Sequence, residues 1–337
     1  TGISQLFAKN KITHLIGAAE IKSQGSVTIT SGRDKGVFKA EKILIATGSS
    51  PTSLSSLVID EKQIVSSTGA LELPSVPKKL IVVGAGYIGL EMGTVWSRLG
   101  AEVEVVDFLP RILPGMDSEI ASKFKSILEK QGIKFHLGKG VKEAVKTKSS
   151  VTLTLLDSQT EEESKLTCDV AFVAVGRKPY IDGLGLEKIG VQLTEKGQIQ
   201  VDNAFQTNIA GIYAIGDVIE GPMLAHKAVH EGHVAAAVIS GKKHYFDPRG
   251  IPSVAYTEPE IAWVGLTEKE AKEQGLNYEA ATFPWAAAVR AIASAATDGL
   301  TKLIFDKDNG RVIGGAIIGT NAGEMLGEIG LAIEMGA

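Results

Sequence analysis

The turn Gly84-Ala85-Gly86-Tyr87-Ile88-Gly89 follows the apolar run Leu80–Val83 and opens a helical pattern. A second apolar run then ends at Asp107. Each part has a task at a dinucleotide. Gly84 permits the tight turn, Gly86 lets backbone approach a pyrophosphate, and Gly89 lets the helix lie close against the strand. The helix N-terminus offers free N–H groups and roughly half a positive charge to phosphates. A lone G-x-G-x-x-G is a weak signal. Strand, helix and acid in register make it a nucleotide-binding signal, against the plainer reading of a turn that only packs.

The elements that must position these residues follow from periodicity and punctuation. Ile88, Met92, Val95 and Leu99 form a helical stripe that Gly100 stops. Asp117 suits the cap of a helix whose Ile120, Phe124 and Ile127 face inward and which Gly132 ends. Val151-Thr-Leu-Thr-Leu alternates with period two and reads as a half-buried strand. Together these predict a βαβ core over 76–178. Two apolar runs, Ile43-Leu-Ile-Ala-Thr-Gly48-Ser-Ser-Pro51 and Phe172-Val-Ala-Val-Gly176-Arg-Lys-Pro179, end alike in Gly-x-x-Pro. Runs without alternation suit strands buried on both faces, so the echo suggests two related nucleotide-type domains.

A third apolar strand delivers Gly216-Asp217, at the carboxyl end where open α/β sheets bind ligands, and a helix is predicted over 224–240. From Ile251 the texture changes to alternating strands. Thr267 and Glu270 make a capping-box pattern for a short helix ending at Gly275. Two strands pair about the Asp308-Asn309-Gly310 turn. In the last segment Met325, Ile329 and Ile333 form an amphipathic stripe with no later segment to cover it, which reads as a chain cut short.

The bulk numbers exclude several classes. The 337 residues allow two or three domains, and 44% hydrophobic with 22% charged residues is ordinary globular composition. A net charge of −4 argues against nucleic acid or an anionic membrane as main partner. No apolar run approaches the ~18 residues of a membrane span. No signal peptide is visible, although the chain begins at Thr1 rather than Met. The one cysteine, Cys168, excludes an internal disulfide and suits a reducing compartment. It precedes an apolar strand and reads as structural. His226, His230 and His233 share a helix face, but no carboxylate or cysteine spacing supports a metal, and none is expected. Glu161-Glu162-Glu163 reads as a solvated turn.

In these motifs the chain resembles the FAD-dependent pyridine nucleotide–disulfide oxidoreductases. Ala46-Thr47-Gly48, the turn at Gly84 and Gly216-Asp217 stand in that family's order. More specific are Leu109-Pro-Arg-Ile-Leu-Pro-Gly-Met-Asp117, Pro222-Met-Leu-Ala-His-Lys227, Tyr256-Thr-Glu-Pro-Glu-Ile-Ala-Trp-Val-Gly265 and Gly314 to Met335. The likeness covers essentially the whole chain. It implies doubly wound, parallel-sheet α/β domains of the FAD/NAD(P)-binding type, followed by a C-terminal α+β dimerisation domain. The expected segments are 1–55 and 181–249 for FAD, 56–180 for NAD, and 250–337 for the subunit interface, with both chain ends truncated.

The resemblance also implies site residues. Gly84, Ala85, Gly86, Tyr87, Ile88 and Gly89 would hold the NAD pyrophosphate and Asp107 the adenosine ribose, with Val141 and Gly176 lining that site. Ala19, Gly48, Asp217 and Ala225 would contact FAD: Asp217 the ribityl chain, Ala225 the flavin at a helix start. Glu91 matches an orienting acid near nicotinamide and flavin, the one catalytic candidate. A 2′-phosphate about 4 Å from Asp107 would cost on the order of 4 kcal/mol at an effective dielectric of about 20, favouring NAD over NADP. Arg111, shortly after, would soften that choice. Tyr87 resembles a nicotinamide-gating tyrosine of another branch, or simply covers the turn.

The implied activity moves two electrons from dihydrolipoyl groups through a redox disulfide and FAD to NAD, in a homodimer serving a 2-oxo acid dehydrogenase complex through its lipoyl domains and core. The implied compartment is the cytoplasm, or the mitochondrial matrix in a eukaryote. The family's cysteine pair, its first FAD-binding βαβ unit and its C-terminal His base are not in this sequence. Two alternatives stand: a family member with a different electron partner (a glutathione-reducing enzyme or a soluble transhydrogenase), and a non-catalytic nucleotide-binding or docking module. Trp263 and Trp285 fall in the interface segment, with core packing as the equal alternative.

Overall fold

The computed structural model describes residues 2–337. The chain forms two compact units, each made of two segments: Thr1–Ser50 with Arg177–Asp247, and Pro51–Gly176 with Pro248–Ala337.

The second unit holds a five-stranded parallel sheet. Its order is Ile64–Val65, Val170–Val173, Lys79–Val83, Glu102–Asp107, Lys134–Leu137. The central strands are apolar without alternation because both faces are covered. Leu80 and Val82 share one face with Val103, Val105 and Phe172, under the helices Tyr87–Arg98 and Ser118–Lys130. Ile81, Val83 and Val106 face the other way. There the antiparallel strands Lys139–Lys146, Val151–Asp157 and Glu163–Cys168 cover them with Val151, Leu153 and Leu155.

One helix face differs from the sequence expectation. In Tyr87–Arg98 the buried residues are Gly89, Leu90, Gly93, Thr94 and Trp96. Val95 and Leu99 are 45% and 57% exposed, while Ile88 and Met92 are only partly buried. The helix approaches the sheet through its glycines. A Cβ on Gly93 would reach Val82 and Val103 at 3.5 and 3.6 Å. Glycine adds nothing to an apolar stripe, so the periodicity marked the neighbouring face. Ser118–Lys130 behaves as expected, with Asp117 accepting from the Glu119 and Ile120 N–H groups and Ile120, Phe124 and Ile127 buried.

The same unit carries a five-stranded antiparallel sheet. Its order is Ser253–Ala255, Glu260–Gly265, Val312–Gly319, Leu300–Asp306, Tyr278–Pro284. Thr267 and Glu270 close the capping box of Glu268–Glu273. The helix Ala322–Met335 corrects part of the expected stripe: Ile329 and Ile333 are buried, with Leu326, against Ala262, Val264 and Ile317 of the sheet, while Met325 is 39% exposed. The cover comes from strands that precede the helix. Trp263 and Trp285 both pack against cores, and Trp285 fills the space above Gly299 and Gly319.

The first unit pairs Ile43–Ile45 with Ile212–Ala214 in parallel and adds the antiparallel strands Gly17–Ser23, Ser26–Gly32 and Gly36–Lys39. Its core joins Ile45, Ile212, Ala214 and Val218 to Val234 and Ala235 of the helix Ala225–Ile239. The two Gly-x-x-Pro segments meet each other, with Ser49–Pro51 pairing Arg177–Pro179. No helix among the described residues is long and apolar enough to cross a membrane.

Candidate nucleotide-binding sites

In the second unit the glycine turn divides its three glycines between packing and access. Gly84 has φ +113°, and a Cβ there would stand 2.3 Å from the Ala174 carbonyl oxygen. A Cβ on Gly89 would lie 2.0 Å from the Gly84 oxygen. Both are closed to any larger residue. Around Gly86 the added atom would meet nothing within 4 Å. Only the middle glycine faces open ground, as a backbone that receives a phosphate requires.

Asp107 is tied to this turn. Its Oδ2 accepts the Ala85 N–H at 2.6 Å and its Oδ1 the Leu109 N–H at 2.7 Å. The Ala85 carbonyl in turn accepts the Leu113 N–H at 3.0 Å. Arg111 donates from Nη2 to the Pro114 carbonyl within its own loop. Tyr87 and Ile88 pack against the core at the helix start.

Gly176 has φ +126° with open space where a side chain would be, and its carbonyl accepts the Thr52 N–H at 2.9 Å. Val141 sits at an irregularity of its strand, packed on the core, with its carbonyl accepting the Ser56 hydroxyl at 2.9 Å. One turn into the helix, half-buried Glu91 accepts the Tyr256 N–H at 2.8 Å. Burial pushes its carboxyl above the ordinary glutamate value, and that backbone bond only partly offsets it.

In the first unit Gly48 has φ +73° with nothing near its absent Cβ, and its carbonyl accepts the Tyr180 N–H at 2.8 Å. Half-buried Asp217 accepts the Ser49 hydroxyl at 2.6 Å. Arg177 fixes that serine from two sides, Nε to its hydroxyl at 2.7 Å and Nη2 to its carbonyl at 2.6 Å. Ala225 is exposed at the first position of its helix, whose preceding Leu224 supplies no side-chain cap. Ala19 is exposed on Gly17–Ser23, opposite Ile29. An anionic group fits this helix start by the dipole argument.

Four residues of the first unit escaped the sequence reading. Ser49 and Arg177 hold Asp217. Lys227 and Glu231 form a buried pair at 2.8 Å and hold the backbone of one residue: Glu231 accepts the Gly216 N–H at 2.7 Å, and Lys227 donates to the Gly216 carbonyl at 3.3 Å. A Lys and a Glu one helical turn apart look like a solvated surface pair in sequence. Their burial is a tertiary fact.

Elsewhere, Cys168 is buried, its thiol pushed up to about 12 by desolvation, and it donates to the Val151 carbonyl. His226, His230 and His233 are exposed. Among the described residues one acidic set, Asp117, Glu119 and Glu268, converges closely enough for a cation, and the Lys302 ammonium sits among them.

Comparison with known proteins identifies the family. The profile of the pyridine nucleotide–disulphide oxidoreductases matches residues 1–232, and that of the family's dimerisation domain matches 251–337. The dihydrolipoyl dehydrogenase of Buchnera aphidicola (subsp. Acyrthosiphon pisum) is 47% identical over 99% of this chain and 70% of its own length. That of Vibrio parahaemolyticus is 48% identical with the same coverage. The mitochondrial dihydrolipoyl dehydrogenase of Bos taurus is 45% identical over 100% of this chain and 67% of its own. Among solved structures, LpdA from Mycobacterium tuberculosis matches with a TM-score of 0.89 at 26% identity, covering 99% of this chain and 74% of that one. The HOCl-induced flavoprotein disulfide reductase RclA from Escherichia coli matches at 0.87 and 25%, covering 99% and 76%. By sequence and by fold, the chain belongs to the pyridine nucleotide–disulphide oxidoreductase family.

Proposed function

We propose that this chain carries the NAD site, part of the FAD site and the subunit interface of a dihydrolipoyl dehydrogenase. In that reaction dihydrolipoamide and NAD+ give lipoamide, NADH and a proton. The observation that carries the reading is the Asp107 carboxylate held 2.6 Å from Ala85 in the glycine turn, beside an open Gly86. A ribose seated at Asp107 would have its pyrophosphate at that turn.

The roles divide by unit. Gly84 to Gly89 hold the NAD pyrophosphate, Asp107 the adenosine ribose, and Val141 and Gly176 line the site. Glu91 orients the nicotinamide end, fixed by its bond to Tyr256. Asp217 receives a ribityl hydroxyl, aimed by Ser49 and Arg177. Gly48 and Ala19 offer backbone, and Ala225 opens a helix whose N-terminus favours negative charge. FAD, when bound, supplies the two-electron relay between thiol and nicotinamide. We assign residues 1–55 and 181–249 to FAD, 56–180 to NAD and 250–337 to a homodimer interface.

The dithiol step needs two cysteines, and Cys168 is this sequence's single, buried thiol. Lipoamide turnover is therefore not expected of these 337 residues alone. The proposed partners are lipoyl domains and the core of a 2-oxo acid dehydrogenase complex, in the cytoplasm or, in a eukaryote, the mitochondrial matrix. Titrating the chain with NADH and NADPH, following nicotinamide fluorescence, tests the reading: NADH should bind at least tenfold more tightly, since repulsion at Asp107 costs more than about 1.4 kcal/mol. Preference for NADPH would move the assignment to another branch of the family.

A further inference from the structure

The loop from Phe108 to Asp117 is fastened at three points. Asp107 begins it, bonded to the Ala85 N–H. At its middle, Ile112 and Leu113 are buried in the core, and the Leu113 N–H donates to the Ala85 carbonyl at 3.0 Å. The N–H and the carbonyl of Ala85 are thus both held by the segment 107–113. At its far end Asp117 caps the helix Ser118–Lys130 and is itself held by Lys302, Nζ to Oδ1 at 2.9 Å.

Lys302 lies on the strand Leu300–Asp306, within the residues matched by the dimerisation-domain profile, and is 1% exposed. Its ammonium also bonds Glu119 at 2.8 Å, and Glu268 at the start of Glu268–Glu273. Three carboxylates converge on one buried ammonium: remove the cation and they repel, with buried Asp117 left without a counter-charge. Lys302 is therefore the fixed end of a chain of bonds running through Asp117, the loop and Leu113 to Ala85 of the glycine turn.

We propose that Lys302 is a positioning residue for the dinucleotide, anchoring the 108–117 loop so that the turn keeps the shape that receives a pyrophosphate. This rests on the reading that NAD binds at that turn. It makes nucleotide affinity depend on a residue of the dimerisation domain that does not line the nucleotide site.

The test uses the whole chain and three variants, measuring dissociation constants for NADH and ADP-ribose with amide hydrogen exchange. Lys302→Met should weaken both ligands by the same factor, about five- to tenfold. It should speed exchange at Ala85 and Leu113 more than in the strand Lys79–Val83. Lys302→Arg, which keeps the charge, should recover part of the loss. Asp117→Asn still caps a helix but weakens the pull of the ammonium. It should lose affinity about threefold and remains informative if Lys302→Met does not fold. Unchanged affinity in Lys302→Met, or in Asp117→Asn when the first variant is unfolded, overturns the inference while NADH binding stands. Uniformly faster exchange without loss of affinity would make Lys302 purely structural and overturns it as well. If the unaltered chain binds neither ligand, both the site reading and this inference fall.

Discussion

Asp107 accepts two backbone N–H groups, one on each oxygen, and each oxygen keeps a lone pair for a sugar hydroxyl. Its orientation is set before any ligand arrives. Asp107→Ala removes both the acceptor and the brace on Ala85. NADH should then bind roughly ten- to a hundredfold more weakly, in line with about 1.5–3 kcal/mol for hydrogen bonds to a charged group. Fluorescence titration measures it, and an unchanged constant would remove Asp107 from the site. Cys168 gives a second prediction at this scale. With its thiol pushed up to about 12 by burial, it should be silent to a disulfide reagent at pH 8 in the native chain. One thiol per chain should appear after urea. Rapid native labelling would mean the strand pairing around it is wrong.

The glycine turn and its helix separate folding from binding within one element. At Gly89 a methyl group would lie 2.0 Å from the Gly84 carbonyl oxygen, so Gly89→Ala must push the helix off the strand. Overpacking of this kind costs about 1–3 kcal/mol, visible as a lower urea midpoint. At Gly86 the backbone has φ −77°, ordinary for alanine, and the space is open. Gly86→Ala should leave stability within about 0.5 kcal/mol yet weaken NADH, because the methyl group would stand where the proposed site receives a phosphate. A variant pair with the opposite ranking would show the turn to be only a packing device.

The two units share one expectation under acid. In the second, Glu104 is buried in the parallel sheet beside Lys79 at 2.6 Å and His136 at 2.7 Å. Burial alone would raise its carboxyl, but its bonds to Lys79 and His136 outweigh that and hold it below the ordinary 4.5. In the first, Lys188 and Lys22 draw half-buried Glu20 down to about 2. A carboxylate with a lowered folded value takes up its proton later than in the unfolded chain. Its contribution is complete above about pH 4.5 and fades as pH falls through the folded value. Chemical denaturation between pH 7 and pH 3 should show stability declining below about pH 4.5, and Glu104→Gln should flatten that decline. An equal slope in the variant would place the acid sensitivity elsewhere.

Local chemistry was legible without coordinates. The glycine turn, the Asp117 cap, the Thr267–Glu270 capping box and the pairing about Asp308-Asn309-Gly310 depend on neighbours in the chain, and all formed where the residues indicated. Tertiary structure alone decided the contacts that periodicity and charge do not encode. The helix after the turn buries its glycines rather than its most apolar stripe, because close approach to a strand selects for missing side chains. Lys227, Glu231 and Lys302 look like surface charges in sequence and become buried only because distant segments close over them. Ile329 and Ile333, which no later segment covers, lie on strands that come earlier in the chain. Apolar spacing reports which residues avoid water, but which surface shelters them depends on partners remote in sequence.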